Sequence, residues 1–298
     1  MHTKLITLFA ATLPLAAVAQ ISYTGGIYTQ DFDNLQSGAI YTPYTNFPVG
    51  WTISQIYHSG YYVWTTVTNG YSNNYGEYCF SSSASDPDKS IGLVIGSTGQ
   101  AYFGAQFRNT TGVTLTTFSL SYFVKQWAKG AVTSNDQVIP FSYSLDASSL
   151  TNGTWVSVSA LDMHSINDGD GAFAALNGNA TSNQAYVVSS VSSISWQPNQ
   201  DLWIRWSGVS HPFTQSHAMA VDNLSFSAVP EMAILPSGPN QFSISWSTNY
   251  TSCVLQSALT PMPASWDTVT NVPVILDSKF TVEIDTTNAQ GFFRLQMQ

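Results

Sequence analysis

Charge is what this sequence lacks most. Asp, Glu, Lys and Arg make up 8% of its 298 residues, against roughly 25% in an average soluble domain. The Lys and Arg number only eight, they are scattered, and the formal net charge is −9. Nucleic-acid backbones are gripped by clustered cations, so nucleic acid is excluded as a partner. Glutamate is nearly missing: Glu77, Glu231 and Glu283 are the whole set. Glycoside hydrolysis needs two placed carboxylates, which would have to come from aspartates such as Asp31, Asp33, Asp86 and Asp88. The only cysteines, Cys79 and Cys253, lie far apart, and His211 and His217 flank a loop with no Cys/His set nearby, so a zinc site is not expected. The cysteines read as isolated buried thiols, with an interdomain disulfide as the alternative in an oxidising compartment; the histidines read as polar loop residues. No G-x-S-x-G elbow is present. Helical periodicity is almost absent after the N-terminal segment.

That segment has one basic residue, Lys4, then the apolar run Leu5–Leu15, then Ala17-Val18-Ala19. Residues 1–19 read as a secretory signal peptide, its apolar run too short to span a bilayer. The mature chain is expected to be secreted, extracellular or at the cell surface, without a membrane span. With so little charge, its surface must be built from Ser, Thr, Asn, Gln and Tyr.

What the sequence has in quantity is period-2 alternation. Phe118, Leu120 and Tyr122 alternate with Ser and Thr; so do Phe141, Tyr143 and Leu145, and Leu202, Ile204 and Trp206 alternate with Trp203, Arg205 and Ser207. Turn signals such as Asn69-Gly70, Asn152-Gly153 and Asn177-Gly178 punctuate the runs. Many short half-buried strands between turns predict an all-β sandwich. The expected organisation is a jelly-roll-like β-sandwich over 20–229, a Pro/Gly linker over 230–240, and a small Ig/fibronectin-III-like β domain over 241–298. Leu202–Ala228 is expected to be the closing hairpin, next to an opening strand at Thr29–Leu35. Residues 164–184 read as an irregular insert.

Two resemblances follow from particular pieces of sequence. Asp31–Leu35, PVGWT at 48–52, DKSIG at 88–92, YFGAQFRN at 102–109, LWIRW at 202–206 and AVDNLSFS at 220–227 resemble the secreted bacterial β-sandwich domains of PEP-CTERM-associated extracellular proteins. The sequence departs from that pattern in showing no PEP-CTERM-type tail, so membrane sorting by that route is not expected. Ser243–Trp246, Val254–Ser257, Trp266–Val269, Asn271–Val274 and Phe292–Leu295 resemble a C-terminal fibronectin/Ig-like module of Verrucomicrobia-type secreted proteins. Neither resemblance implies a particular activity.

The candidate sites are two. The first is the Tyr-rich stretch 57–80, where Tyr61, Tyr62, Trp64, Tyr71 and Tyr75 could form a stacking platform for sugar rings, amid adaptable Ser, Gly and Asn; core or edge packing is the alternative. The second is Asp31, Asp33 and Asp222, an oxygen-rich set of the hard-ligand kind that a structural Ca²⁺ requires. By parity Asp222 shares a face with Leu224 and Phe226, so it should point inward and need an answer; Arg205 or a turn hydrogen bond is the alternative to the metal. Asn167–Gly171 is calcium-like in letters but fits an Asx-Gly turn. Tyr102, Gln106, Arg108, Tyr122 and Lys125 loosely approximate a lyase set. The favoured reading is a secreted non-catalytic protein that binds extracellular polysaccharide or cell-surface matrix. Its alternatives are a structural or adhesive surface protein and a polysaccharide-active lyase or hydrolase.

Overall fold

The alternating runs become strands wherever one parity can be buried and the other left wet. The computed structural model describes residues 20–35, 47–55, 62–65, 76–83, 85–94, 100–130, 137–168, 174–209, 217–260, 265–285 and 291–298. These build a jelly-roll-like β-sandwich followed by a small two-sheet β-module.

One layer of the sandwich is a six-stranded sheet. Gln100–Asn109 and Asp201–Val209 pair antiparallel at its centre. Phe141–Ser144 and then Val156–Ser157 extend it on one side. On the other side the edge of Gln100–Asn109 is shared by Trp51–Gln55, antiparallel, and Ile21–Tyr23, parallel. The second layer has eight strands around Leu115–Lys129 and Ala218–Pro230. Gln184–Val191 and Ala174–Ala175 flank the first of these. Lys89–Val94 and Ile27–Gln30 flank the second, and Gly76–Ser81 and Tyr62–Thr65 follow outward from Lys89–Val94. The facing parities, including Phe103, Phe107, Leu120, Tyr122, Trp206 and Phe226, meet in one buried cluster. Tyr23 ties the layers together: its hydroxyl accepts from Ala228 N at 2.7 Å and donates to Gly26 O at 2.8 Å.

Several expectations change. Leu202–Ala228 is not a hairpin: Asp201–Val209 lies in the six-stranded sheet and Ala218–Pro230 in the eight-stranded one. Alternation defines each strand's two faces but says nothing about which sheet a strand joins. The opening strand does run beside the closing one, but as Ile27–Gln30 against Leu224–Ser227; Asp31–Leu35 turns away through Phe32, whose φ is 59°. Trp206 is in the central core, as its parity requires. Trp203, on the opposite face, is buried too, under the loop that carries Ala147 and Leu150.

The expected linker is also absent as such. Ala233–Gly238 is a strand of the small module, paired with Gln241–Ser247. Lys279–Asp285 and Val274–Leu276 complete that sheet. Cys253–Ala258 stands between Phe292–Met297 and Asp267–Thr268 in the other. Trp246, Tyr250, Leu255 and Met297 belong to the same contiguous cluster as Tyr23, Trp196 and Phe226, and Asn249 Nδ2 donates to Thr111 O at 3.0 Å. The module is packed onto the sandwich rather than strung from it. Cys79 and Cys253 are free and buried, one in each part, and burial pushes both thiols up to about 12.

Candidate functional site

The outer face of the eight-stranded sheet changes character along Leu115–Lys129. At one end Trp127 is sealed in. Its ring stacks on Phe80 with centroids 5.9 Å apart, and its Nε1 donates to Ser90 Oγ at 2.9 Å. Gly178 lies directly on the indole: a Cβ there would stand 2.4 Å from Cε2, so only glycine lets this segment cover it.

Next along the face is Lys125, only 2% exposed. Its Nζ donates to Asp88 Oδ1 at 2.6 Å and Asn179 Oδ1 at 2.9 Å, and lies 2.7 Å from Asp222 Oδ2. Asn179 Nδ2 in turn donates to Asp86 Oδ2 at 3.1 Å and to Asp88 O at 3.2 Å. Asp222 reaches this network because parity breaks beside it. Register shifts between Asp222 and Ser225, with Asn223 at φ 47°. Such a bulge adds a residue and flips the faces on either side of it. Leu224 and Phe226 face the core, whereas Asp222 sits on the outer face with Ala218 and Ala220.

The set Asp31, Asp33 and Asp222 is therefore not assembled. Asp31 Oδ1 accepts from Asp33 N at 3.2 Å and Asp33 Oδ1 from Lys89 N at 3.0 Å, both at an exposed turn. Among the described residues no three His, Cys, Asp or Glu side chains form a metal-sized group. The oxygens drawn from Asp88, Asn179 and Asp222 surround an ammonium instead. Arg205 is not the partner either, because it lies in the other sheet.

Burial pushes the Asp222 carboxyl up to about 6 against the pull of Lys125, and its Oδ1 has no hydrogen-bond partner. In the unfolded chain it should titrate near ~3.9. Between those values the folded protein holds a proton that the unfolded chain releases. Asp222 thus adds stability at low pH and loses that contribution as pH rises through about 6. Relative to Asp222→Asn, the wild type should lose stability between pH ~4 and ~6 and level off above that, by at most about 1.4 kcal/mol per pH unit. Thermal melts of the two proteins across that range check this; parallel profiles would count against it.

Beyond Lys125 the face opens. Phe123 lies beside Tyr186, and the next rows run Thr29, Ser225, Ser121, Val188 and Ile27, Ser227, Ser119, Ser190. Ser119 and Ser190 share a hydrogen bond of 2.8 Å. Tyr186 leans on Phe123 with centroids 5.2 Å apart, yet it is 58% exposed, and Val188 is 61% exposed. No charged side chain occupies these rows. Sequence reading missed Gln184–Val191 because AYVV is apolar at both parities. That same feature was the available signal, since an outward parity has no packing reason to be apolar.

The other candidates are dispersed. Tyr61, Tyr71 and Tyr75 lie outside the described residues. Tyr62 and Trp64 fall in a strand parallel to Gly76–Ser81, in register with Tyr78 and Phe80. The lyase approximation splits: Tyr102, Gln106 and Arg108 are on the outer face of the six-stranded sheet, Tyr122 is core, and Lys125 is in the other layer. His217 is buried and immediately precedes the strand Ala218–Pro230. Its Nδ1 accepts from Gly130 N at 3.1 Å, which leaves the ring proton on Nε2, 3.5 Å from Asp168 Oδ1. Asp168 is the described aspartate of the calcium-like run; residues 169–171 lie outside the described ones.

No family model matches the chain. No curated protein matches it either. Among solved structures, the chain is similar to the CBM22-1 xylan-binding domain from Paenibacillus barcinonensis Xyn10C, at 13% identity over 72% of this chain and 99% of that one, with a TM-score of 0.31. It is similar to the K2 cleaved adhesin domain of Lys-gingipain at 13% identity, over 67% and 97% of the two chains, with a TM-score of 0.33. For the Emp47p carbohydrate recognition domain the figures are 9%, 67%, 95% and 0.31. Function has to be read from the side chains themselves.

Proposed function

We propose that this is a secreted, non-catalytic protein that binds extracellular glycan on the open face of its eight-stranded sheet. The observation that carries the reading is the exposed pair Tyr186 and Val188, backed by Phe123 and bordered by rows of serine. A tyrosine braced by the ring beside it offers a fixed face to the C–H side of a sugar ring. Serine hydroxyls both donate and accept, as sugar hydroxyls require. The aspartates most nearly placed for acid/base work are already engaged: Asp88 and Asp222 hold Lys125, and Asp201 holds Arg108 and Gln106.

A pull-down on a panel of insoluble polysaccharides tests this. Tyr186→Ala should reduce retention at least roughly tenfold, the loss expected when one aromatic hot spot is removed, with the fold intact. Retention that follows Trp64→Ala instead would move the site to the Tyr-rich stretch. No retention on any polysaccharide would sink the proposal. The adhesive reading draws on a different feature: Val274, Ile275 and Leu276 form an exposed apolar edge strand of the small module.

A further inference from the structure

We infer that the outer face of the six-stranded sheet carries a second subsite, built on Arg205, for a carboxylate-bearing sugar such as a uronate. The inference rests on the glycan reading but not on Tyr186.

Arg205 projects from Asp201–Val209 between two aromatic rings. Its guanidinium carbon lies 3.8 Å from the Trp155 ring centroid and 4.8 Å from that of Tyr102. Gly104 lies opposite it in the neighbouring strand, where a Cβ would come 2.0 Å from Ile204 O, so no side chain competes for that position. Nε donates to Ser142 Oγ at 3.1 Å, and Nη1 donates to Leu150 O. A guanidinium has five N–H donors, and these bonds occupy one on Nε and one on Nη1. Among the described residues no carboxylate pairs with Arg205, although Asp and Glu outnumber Lys and Arg by 17 to 8. Arg108 on the same face already has Asp201 at 3.1 Å.

A bland account exists. Arg205 pins the loop that carries Leu150 and Trp155, and a single backbone bond with one ring would do that. It does not explain why a fixed, half-buried cation in an acidic chain has no carboxylate partner among the described residues. The planar fork of arginine fits a carboxylate in two parallel hydrogen bonds, and the stacked rings hold the fork in place.

Affinity electrophoresis of the full chain in gels containing polygalacturonate or neutral hydroxyethyl cellulose tests the subsite. Wild type should be retarded by polygalacturonate, less so in about 0.5 M NaCl, where exposed charges are screened. Arg205→Gln should weaken that retardation roughly tenfold, as loss of a charge-assisted bond would, while Tyr186-dependent binding to neutral glycan is unchanged. Equal retardation of wild type and Arg205→Gln would overturn the inference, as would no retardation of wild type by polygalacturonate. If Arg205→Gln melts the fold, Arg205→Lys carries the test, because it keeps the charge and loses the fork; unchanged retardation then overturns the subsite. Arg205-dependent retardation without any Tyr186-dependent retention would support this subsite and defeat the face proposed above.

Discussion

Replacing Lys125 with methionine is expected to cost about 3–5 kcal/mol of folding stability, the range for breaking a buried ion pair by removing one partner. The methylene stem is matched by methionine, so the loss falls on the ammonium. Without it Asp222, fully buried, keeps only its neighbour Asn223, whose Nδ2 donates at 2.9 Å. Asp88 is partly solvated and can be rehydrated, with 45% of its side chain exposed. The partly exposed pair Arg108–Asp201 sets the contrast: its removal should cost about 1 kcal/mol. The double variant Lys125→Met/Asp222→Asn should recover more than half of the loss, because neither charge is then stranded. Urea unfolding of the three variants decides. If the double variant is as unstable as the sum of the singles, the stranded carboxylate is not the cause.

This network also shows how far the sequence could be read. Phe118, Leu120 and Tyr122 were legible as one core-facing parity, and they are buried as that parity requires. Continuing the same count would leave Lys125 outward and wet; it is buried because a later segment, 177–183, whose Asn179 lies 54 residues on, folds over it. Nothing local announces that cover. The demand for an oxygen-rich answer to a cation was legible at Asp222, but one bulge residue, Asn223, moved the carboxylate to the opposite face. Parity is reliable only between bulges, and a bulge leaves no fixed letter in the sequence. The small module was easier. Short strands are legible at Cys253–Ser257, Phe280–Ile284 and Phe292–Leu295, and the structure extends them by a residue or two, to Cys253–Ala258, Lys279–Asp285 and Phe292–Met297. Its prolines, however, suggested a linker where Ala233–Gly238 forms an edge strand, a position in which a missing N–H costs no ladder bond.

Trp206→Ala should produce the other large loss, about 3–5 kcal/mol for truncating a fully buried tryptophan. Trp206 is where the aromatic core converges. Phe103 stacks on it at 5.1 Å, Trp51 lies parallel at 6.4 Å, and Tyr122 and Phe141 meet it edge-on, both at 5.2 Å. Its Nε1 also donates to Tyr122 Oη at 3.2 Å, but that hydroxyl keeps its bond to Leu161 O at 2.6 Å when the indole is gone. The cost is therefore cavity and lost transfer free energy rather than an orphaned polar group. Partners from strands of both sheets line the space, so it cannot collapse by shifting one loop. Trp203 is the internal control. It is buried as well, but under the single loop with Ala147 and Leu150, which can settle into the vacancy, so Trp203→Ala should cost less. Chemical denaturation with an unchanged m-value reads both. A Trp206→Ala loss no greater than that of Trp203→Ala would mean that the layers are not held together by this cluster. The direction also bears on the sugar-facing surfaces: Trp206 supports the strand on which Arg205 stands, so losing it should loosen the six-stranded face before it disturbs Tyr186 on the other sheet.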